Sequence, residues 1–447
     1  MKYIWGSLFA GILALGFINA FIIRFSRAGD FLVIFHIVLT VALLLRYKKG
    51  LREILLLAFL ARVMLMVWDL NLSFIFLLPN SGADTEMYYS YAQQVSRNVP
   101  MLLENIRGGP YSKIVGTVFW FTGISRMLGQ YINVLLGLSV VVIVHRITGM
   151  LKLSERSRRI TLLLAAFFPN TMVMSAIFLR EIFPTFFVAA SLYYFCRWFL
   201  RPRMPDMIFS LLMLALASIF HSGVVGIFLG YAYAFLFYKH RAKRFAFSAR
   251  SVSSFLVLAG VVYLATNVFQ EQLFGKFRNI DEIEDVYQTA NTRLGGSVYL
   301  KGMEITNLWQ FFLYGPVKML YFLAAPMPWD WRGGMDIFTF FADSMFYLYV
   351  IVMLFRNRKL LGERKPLIRA LALMLLGAVI IFGIGVSNAG TAVRHRQKLI
   401  PIMLVSLGIV MDCKVGVWTR FGVKNRGLFH QPTDSLRWRD KIREEIL

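Results

Sequence analysis

Repeated apolar runs of nearly membrane-spanning length constrain this chain more than any other feature. A helix needs about 20 consecutive apolar residues to cross a bilayer. Runs that approach this length recur along the 447 residues, of which 58% are hydrophobic. The short alternating segments typical of a transmembrane barrel do not appear. The sequence therefore predicts an all-α fold, a polytopic integral membrane bundle of helices.

Basic residues concentrate in the short connectors between these runs, and they set the predicted topology. Lysine and arginine in connectors mark the cytoplasmic side of a membrane protein. The net charge of +25 therefore indicates membrane topology and attraction to membrane lipids, not nucleic-acid binding. With the N-terminus inside, we expect about 12 transmembrane helices, at 4–23, 30–46, 54–78, 131–147, 160–179, 182–198, 207–220, 222–238, 252–269, 338–355, 370–386 and 399–413.

Two further apolar runs do not fit this alternation. Full crossings at 114–128 and 309–325 would place neighbouring basic loops outside. We therefore predict that both are re-entrant or interfacial helices, which need protein or a cavity to cover irregular backbone. The predicted organisation is a transmembrane domain at 1–413 with outer loops 79–113 and 270–337, followed by a basic cytoplasmic tail at 414–447.

Eight ionisable residues interrupt the apolar sequence at the predicted outer ends of the helices. Charges in a membrane protein are costly to bury and usually indicate function. Because these residues come from distant parts of the chain but share one depth, we expect a single site. They are Asp84, Glu86, Arg180, Glu181, His221, Arg394, His395 and Arg396.

Two carboxylates follow a turn signal in the first outer loop. Either Thr85 or Asp84 is expected to cap the short helix that begins there, which leaves the other side chain free. Asp84 is otherwise a candidate general base, which accepts a proton from a sugar hydroxyl as that hydroxyl attacks. Glu86 is the second choice for the base, or a ligand to a divalent cation beside it.

The densest group of cations lies at 394–398, where it enters a late apolar run. Guanidinium groups match phosphate oxygens with two parallel hydrogen bonds, so Arg394 and Arg396 are predicted to bind a lipid phosphate or diphosphate. Anchoring to lipid headgroups is the alternative. Arg180 is a second candidate clamp, with Glu181 orienting it or contacting the acceptor sugar; a local ion pair is the simpler interpretation.

The remaining candidates have equally plausible structural roles. His221 and His395 suit a phosphate contact or proton transfer, although a histidine at a helix junction is often structural. Trp329, Asp330 and Trp331 combine aromatic faces with a carboxylate; they anchor the chain at a membrane interface or support a sugar ring. Within the third run, Arg62 and Asp69 are seven residues apart and are expected to pair.

Several of these motifs resemble known membrane glycosyltransferases. Gly82-Ala83-Asp84 followed by Tyr88-Tyr89 resembles the first outer loop of the GT-C superfamily. Similar regions occur in bacterial O-antigen-polymerase-like and EpsG-like polysaccharide proteins. Those regions are Phe168-Pro169 with Leu179-Arg180-Glu181, Ala325-Pro326-Met327-Pro328-Trp329, and Gly390-Thr391 with Arg394-His395-Arg396 and Pro401.

The resemblance implies a bacterial cytoplasmic (inner) membrane enzyme whose active site faces outside. Its donor would be a polyprenyl-phosphate- or polyprenyl-diphosphate-linked saccharide, its acceptor a glycan or glycolipid, and its partners other polysaccharide-assembly proteins. By the same resemblance Asp84 is the catalytic base of an inverting transfer, and Arg394 and Arg396 hold phosphate. Tyr88, one turn after Asp84, is a candidate contact for the acceptor sugar. Nucleotide-binding loops are absent from the sequence, which favours a lipid-linked donor.

Two alternatives from other classes stay open. A transporter or flippase for an anionic lipid-linked saccharide also needs a cationic cavity and about twelve helices, but its charges are expected nearer the membrane midplane. A non-catalytic subunit of a polysaccharide-assembly complex is the third possibility, and it would tolerate loss of Asp84 and Glu86.

Overall fold

The protein is predominantly helical, in agreement with the predicted all-α class. The computed structural model describes residues 1–21, 27–247, 251, 256, 291 and 296–424. In this part of the chain, strand pairing is confined to an antiparallel hairpin, β1 (Tyr238–Lys239) with β2 (Arg244–Phe245), and to a single bridge between Val298 and Asn388.

The helices are numbered along the described part of the chain. The first group is α1 (Lys2–Phe21), α2 (Ala28–Leu44), α3 (Leu51–Asn71), α4 (Ala83–Arg97), α5 (Gly109–Thr122), α6 (Arg126–Met150), α7 (Glu155–Phe167), α8 (Pro169–Met174), α9 (Ile182–Leu200), α10 (Met204–Phe220) and α11 (Phe228–Phe237). The second group is α12 (Leu308–Ala324), α13 (Gly334–Thr339), α14 (Met345–Arg356), α15 (Lys365–Gly385), α16 (Ala389–Arg396) and α17 (Ile400–Lys424).

Four helical segments in the described part are long and apolar enough to cross a membrane, by length and composition: Lys2–Asn19, Arg126–Met150, Gly334–Arg356 and Gly362–Gly385. Shorter apolar helices accompany them at Ala28–Leu44, Met204–Phe220 and Ser222–Phe237. These segments agree with a membrane protein. The count of twelve crossings stays a prediction.

Helix α6 forms the centre of the bundle. Its span is 89% buried, and it packs against α3, α7 and α9. A helix that is apolar on every side is expected in the interior and not at the surface of a soluble domain. Helices α2, α8 and α17 also contact α6.

The predicted continuous helix at 160–179 is wrong. Helix α7 ends at Phe167, and Phe168 adopts an extended conformation with ψ 117° before Pro169. Proline has no backbone N–H, and its ring disfavours a helical conformation for the preceding residue. After the six-residue helix α8, the chain runs irregularly to Ile182. This interruption carries Arg180 and Glu181.

The predicted re-entrant segments correspond to α5 and α12, of 14 and 17 residues. Both are shorter than a full crossing, which needs about 20 residues. Their re-entry into the membrane stays a prediction. Other predictions lie outside the described residues: the helix at 252–269 apart from Leu256, residues 270–290 and 292–295 of the second outer loop, and 425–447 of the tail.

The predicted pairing of Arg62 with Asp69 is also wrong. Arg62 is fully buried and donates to the carbonyl of Ala166 at 2.8 Å and to the hydroxyl of Ser175 at 3.1 Å. Asp69 accepts a 2.6 Å hydrogen bond from Gln130. Seven residues separate the two along the axis by about 10 Å, since each adds about 1.5 Å. Each side chain therefore has a hydrogen-bond partner outside α3 and none in the other.

Candidate functional site

The first turn of α4 presents two carboxylates, and Thr85 controls how it begins. The Thr85 hydroxyl accepts from the Gly82 N–H at 3.1 Å and donates to the Gly82 carbonyl at 2.7 Å. Gly82 has φ +117°, a conformation that glycine adopts without a Cβ penalty. Because Thr85 closes the helix start, Asp84 and Glu86 are left to contact other parts of the protein.

The Asp84 face of α4 meets the end of α16 and the loop before α9. Arg394 Nη1 donates to Asp84 Oδ2 in an ion pair, with the two side chains 21% and 45% exposed. One turn further along α4, the Arg180 guanidinium lies 5.6 Å from the centre of the Tyr88 ring. The Arg180 side chain is 28% exposed. A partly exposed carboxylate on α4 thus pairs with one partly exposed guanidinium, and a second guanidinium lies against Tyr88 of the same helix.

Glu86 points to a different face of the helix. Residues two apart on a helix are separated by about 200° around its axis. Glu86 accepts from Arg126 at 2.9 Å, and the Arg126 guanidinium lies 5.4 Å from the centre of the Tyr89 ring. Glu86 and Arg126 therefore attach α4 to the beginning of α6. The two carboxylates that the sequence left as alternatives are separated, and only Asp84 joins the Arg394 cluster.

A buried ion pair lies beneath these exposed groups. Lys398 Nζ donates to Glu181 Oε2, and both side chains are almost completely buried. Arg180 Nε lies 4.0 Å from the other carboxylate oxygen. Burial raises the pKa of Glu181, but the Lys398 and Arg180 charges outweigh it and hold this pKa at about 2. Glu181 is thus ionised, and it compensates part of the positive charge of the cluster.

Two histidines continue from Lys398 in a hydrogen-bonded chain. His395 Nδ1 lies 3.1 Å from Lys398 Nζ, and His395 Nε2 lies 3.1 Å from His221 Nε2. A lysine ammonium donates only, so His395 Nδ1 accepts and His395 Nε2 carries the proton given to His221. Burial, and then the charge of Lys398, hold the pKa of His395 well below its usual value. His395 is therefore neutral beside the cations.

Arg396 occupies a different environment. Its Nη1 donates to the carbonyls of Leu323 and Ala325, each at 2.8 Å, and its Nη2 to Asp343 at 2.5 Å and to Ser344 at 3.1 Å. The Arg396 side chain is 0% exposed. Protein acceptors hold this guanidinium and it has no accessible surface, so the geometry argues against its predicted contact with a substrate phosphate.

Asn170 completes the surroundings of that buried pair. Its Nδ2 donates to Asp343 at 3.2 Å and to the Val393 carbonyl at 2.9 Å. It thereby links α8 to α16 and to the π-helical turn Phe340–Ser344. The sequence analysis missed Asp343. A carboxylate inside a predicted crossing was the signal, because such a charge requires a buried partner.

The predicted sugar platform of Trp329, Asp330 and Trp331 makes local contacts, away from Arg394. Trp329 donates to the hydroxyl of Tyr321 at 2.8 Å and is 70% exposed. Trp331 donates to the carbonyl of Pro326 at 3.2 Å and packs edge-on against Phe340. These contacts stay within residues 321–340. They do not connect Trp329, Asp330 or Trp331 to Arg394, and their predicted sugar contacts stay untested.

The sequence-predicted residues thus divide into three groups. The residues that come together around α4 and α16 are Asp84, Tyr88, Arg180, Glu181, His221, Arg394, His395 and Lys398, here called the outer cluster. Glu86 and Arg396 contact other partners, and the tryptophans lie apart. Among the residues described, there is no group of three or more His, Cys, Asp or Glu side chains that could hold a metal ion.

Comparison with protein-family models, curated proteins and solved structures gave no match. Function is therefore inferred from the chemistry of the outer cluster.

Proposed function

We propose that the protein is a membrane glycosyltransferase or polysaccharide polymerase, with about twelve crossings in a GT-C-like arrangement. Its site faces the outside of a bacterial cytoplasmic membrane. There it transfers sugar from a polyprenyl-phosphate- or diphosphate-linked donor to a glycan or glycolipid acceptor. The observation that carries the proposal is the half-exposed pair of Asp84 with Arg394, beside Arg180 and above the buried Lys398.

The charge of the outer cluster favours an anionic ligand. Three cations, Arg180, Arg394 and Lys398, face two carboxylates, Asp84 and Glu181. One positive charge is left over in surroundings where water is partly excluded and charges interact more strongly than in water. Guanidinium forks suit phosphate oxygens. A phosphate or diphosphate is the anion that this arrangement fits.

Binding and catalysis then follow from an exchange of partners. Phosphate oxygens replace Asp84 on Arg394, and the released carboxylate accepts the proton of the acceptor hydroxyl. The hydroxyl oxygen bonds to the anomeric carbon as the bond from that carbon to the phosphate oxygen breaks. The phosphate leaves with the electron pair, and Arg394 and Arg180 stabilise its charge. A single displacement of this kind inverts the anomeric configuration.

The direct test is transfer by the purified protein in lipid nanodiscs. A polyprenyl-diphosphate oligosaccharide is supplied as donor and acceptor, and the lipid-linked products are followed by mass spectrometry. We expect longer glycans from the unsubstituted protein and at least about 100-fold slower formation by Asp84→Asn. Failure to form product from any of a panel of lipid-linked donors would contradict the enzyme proposal.

A proton-coupled transporter of anionic lipid-linked saccharide is the second candidate. The buried chain from Lys398 through His395 to His221 favours it, because such chains occur in the proton pathways of pumps and transporters. Reconstituted liposomes distinguish the two. Movement of an unaltered lipid-linked saccharide between leaflets, dependent on a proton gradient, would support transport, whereas glycan elongation would support the transferase.

A further inference from the structure

The chain beneath Arg394 connects a half-buried group to a completely buried one. His221 is partly accessible, His395 is 9% exposed and Lys398 is 0% exposed. Each step between them is a hydrogen bond of 3.1 Å between nitrogen atoms. All three side chains can carry a proton, and the buried end contacts Glu181.

The geometry allows one excess proton to occupy either end. With Lys398 charged, Nζ donates to His395 Nδ1, and His395 Nε2–H donates to His221 Nε2. With His221 charged, its Nε2–H donates to His395 Nε2, and His395 Nδ1–H donates to the Lys398 lone pair. The excess charge moves inward when His221 gives its Nε2 proton to His395 Nε2 and His395 gives its Nδ1 proton to Lys398. Each proton crosses one hydrogen bond, and neither ring rotates.

The charges around Lys398 make its protonation sensitive to a bound anion. Glu181 and Arg180 face it from the loop before α9, and Arg394 and His395 face it from α16. His221, at the end of α10, connects to Lys398 through His395. The Phe382 ring of α15 lies 5.9 Å from its ammonium. An anion at Arg180 and Arg394 adds negative charge above this group, so it favours the protonated form.

We propose that anion binding at the outer cluster is coupled to uptake of a proton, which enters at His221, passes through His395 and resides on Lys398. This inference rests on the proposed phosphate site at Arg394 and Arg180. In molecules whose Lys398 is neutral, anion binding restores the third cation of that site, so donor binding depends on pH.

The direction of the pH dependence follows from Lys398. Burial lowers the pKa of Lys398 to about 8, although the Glu181 carboxylate opposes this shift. At about pH 6 nearly all molecules already carry the proton, so binding takes up almost none. Near pH 8 about half lack it and gain it on binding. Anion affinity therefore falls as the pH rises through this pKa.

Calorimetric titration with inorganic pyrophosphate at about pH 8, in two buffers of different ionisation enthalpy, counts the protons exchanged. Lys398→Arg is the matched variant, because it keeps the cation beside Glu181 but does not titrate. The ligand's own proton exchange is the same for both proteins. We expect the unsubstituted protein to take up about half a proton more than Lys398→Arg near pH 8, and the two to agree near pH 6.

A second measurement addresses the route and does not require Lys398→Arg to fold. Sulfate does not titrate in this pH range, so it reports proton uptake by the unsubstituted protein directly. His395→Gln keeps an acceptor for Lys398 and a donor for His221 but does not relay a proton. With this variant we expect the same number of protons but at least about ten-fold slower uptake in stopped-flow with a pH-indicator dye.

The outcomes separate this inference from the proposed function. Pyrophosphate binding with equal proton counts in the unsubstituted protein and Lys398→Arg, or sulfate binding without uptake, would overturn the proton coupling and leave the phosphate site intact. An unchanged uptake rate in His395→Gln would overturn the route. No binding of pyrophosphate at either pH would contradict the phosphate site itself.

Discussion

Arg394 and Arg396 are two residues apart on one short helix, but their environments are opposite. Arg396 and Asp343 are 0% and 3% exposed, and further protein acceptors surround the guanidinium. Arg394 and Asp84 are 21% and 45% exposed. A buried charge has to be satisfied by the protein, whereas a half-exposed pair can exchange its partner for a ligand. The burial of Arg396 is that of a structural residue, whereas the accessibility of Arg394 suits the binding role that we propose for it.

Removal of Arg396 is expected to have the largest effect. Arg396→Ala leaves the Asp343 carboxylate buried and unpaired, which costs about 3–5 kcal/mol. Arg394→Ala is the matched control, because its ion pair with Asp84 is half-exposed and pairs open to solvent contribute only about 0–1 kcal/mol. Thermal unfolding in detergent measures both. A stable Arg396→Ala protein that has lost phosphate binding would reverse our assignment.

Substitution of each carboxylate of α4 by its amide compares the two faces of that helix. Asp84→Asn removes the proposed base and is expected to lower the transfer rate about 10²–10⁴-fold. Glu86→Gln, on the other face of the same turn, is expected to change it by less than about five-fold, because its ion pair with Arg126 is exposed. Mass spectrometry of glycan products gives both rates. Equal losses in the two variants would contradict the separation of the two faces.

The positions of most helices could be predicted from local sequence patterns. Apolar runs and basic connectors locate most helices within a few residues, as for 30–46 against α2 and 182–198 against α9. Hydropathy did not reveal the break after Phe167. That break follows from the preference of Phe168, the residue before Pro169, for an extended conformation. Which helices contact α6 depends on contacts between distant segments, which a single sequence does not specify.

The site was predictable to the extent that charge in an apolar sequence requires a reason. That rule located Asp84, Arg180, Glu181, His221 and Arg394. It did not distinguish Arg394 from Arg396, because sequence does not show which helix face meets another charge. Only tertiary contacts reveal that Asp343 satisfies Arg396 and that Arg126 takes Glu86.

A moderate effect is expected from Arg180. In Arg180→Ala the Tyr88 ring and Glu181 keep their other contacts, and the site loses one of its two accessible guanidinium groups. We expect about a ten-fold rise in the donor KM, which corresponds to about 1.4 kcal/mol of binding. Initial rates at varied donor concentration measure it. Unchanged donor KM would remove Arg180 from the phosphate site.

The smallest effect is expected from the exposed aromatic platform. Trp329→Ala removes a side chain whose contacts lie away from the outer cluster. Substitutions at exposed positions usually change stability by about 0.5 kcal/mol or less. We expect the acceptor KM, measured from initial rates, to change by less than about three-fold. A rise of ten-fold or more would extend the site from the outer cluster to Trp329.

The most direct test of the division between binding and structural arginines is the affinity for a polyprenyl diphosphate in nanodiscs. Arg394→Ala and Arg126→Ala each remove an arginine that pairs with a carboxylate of α4, on different faces. We predict that Arg394→Ala weakens binding at least about ten-fold, or about 1.4 kcal/mol, and that Arg126→Ala leaves it nearly unchanged. Equal affinities in the unsubstituted protein and Arg394→Ala would contradict the account.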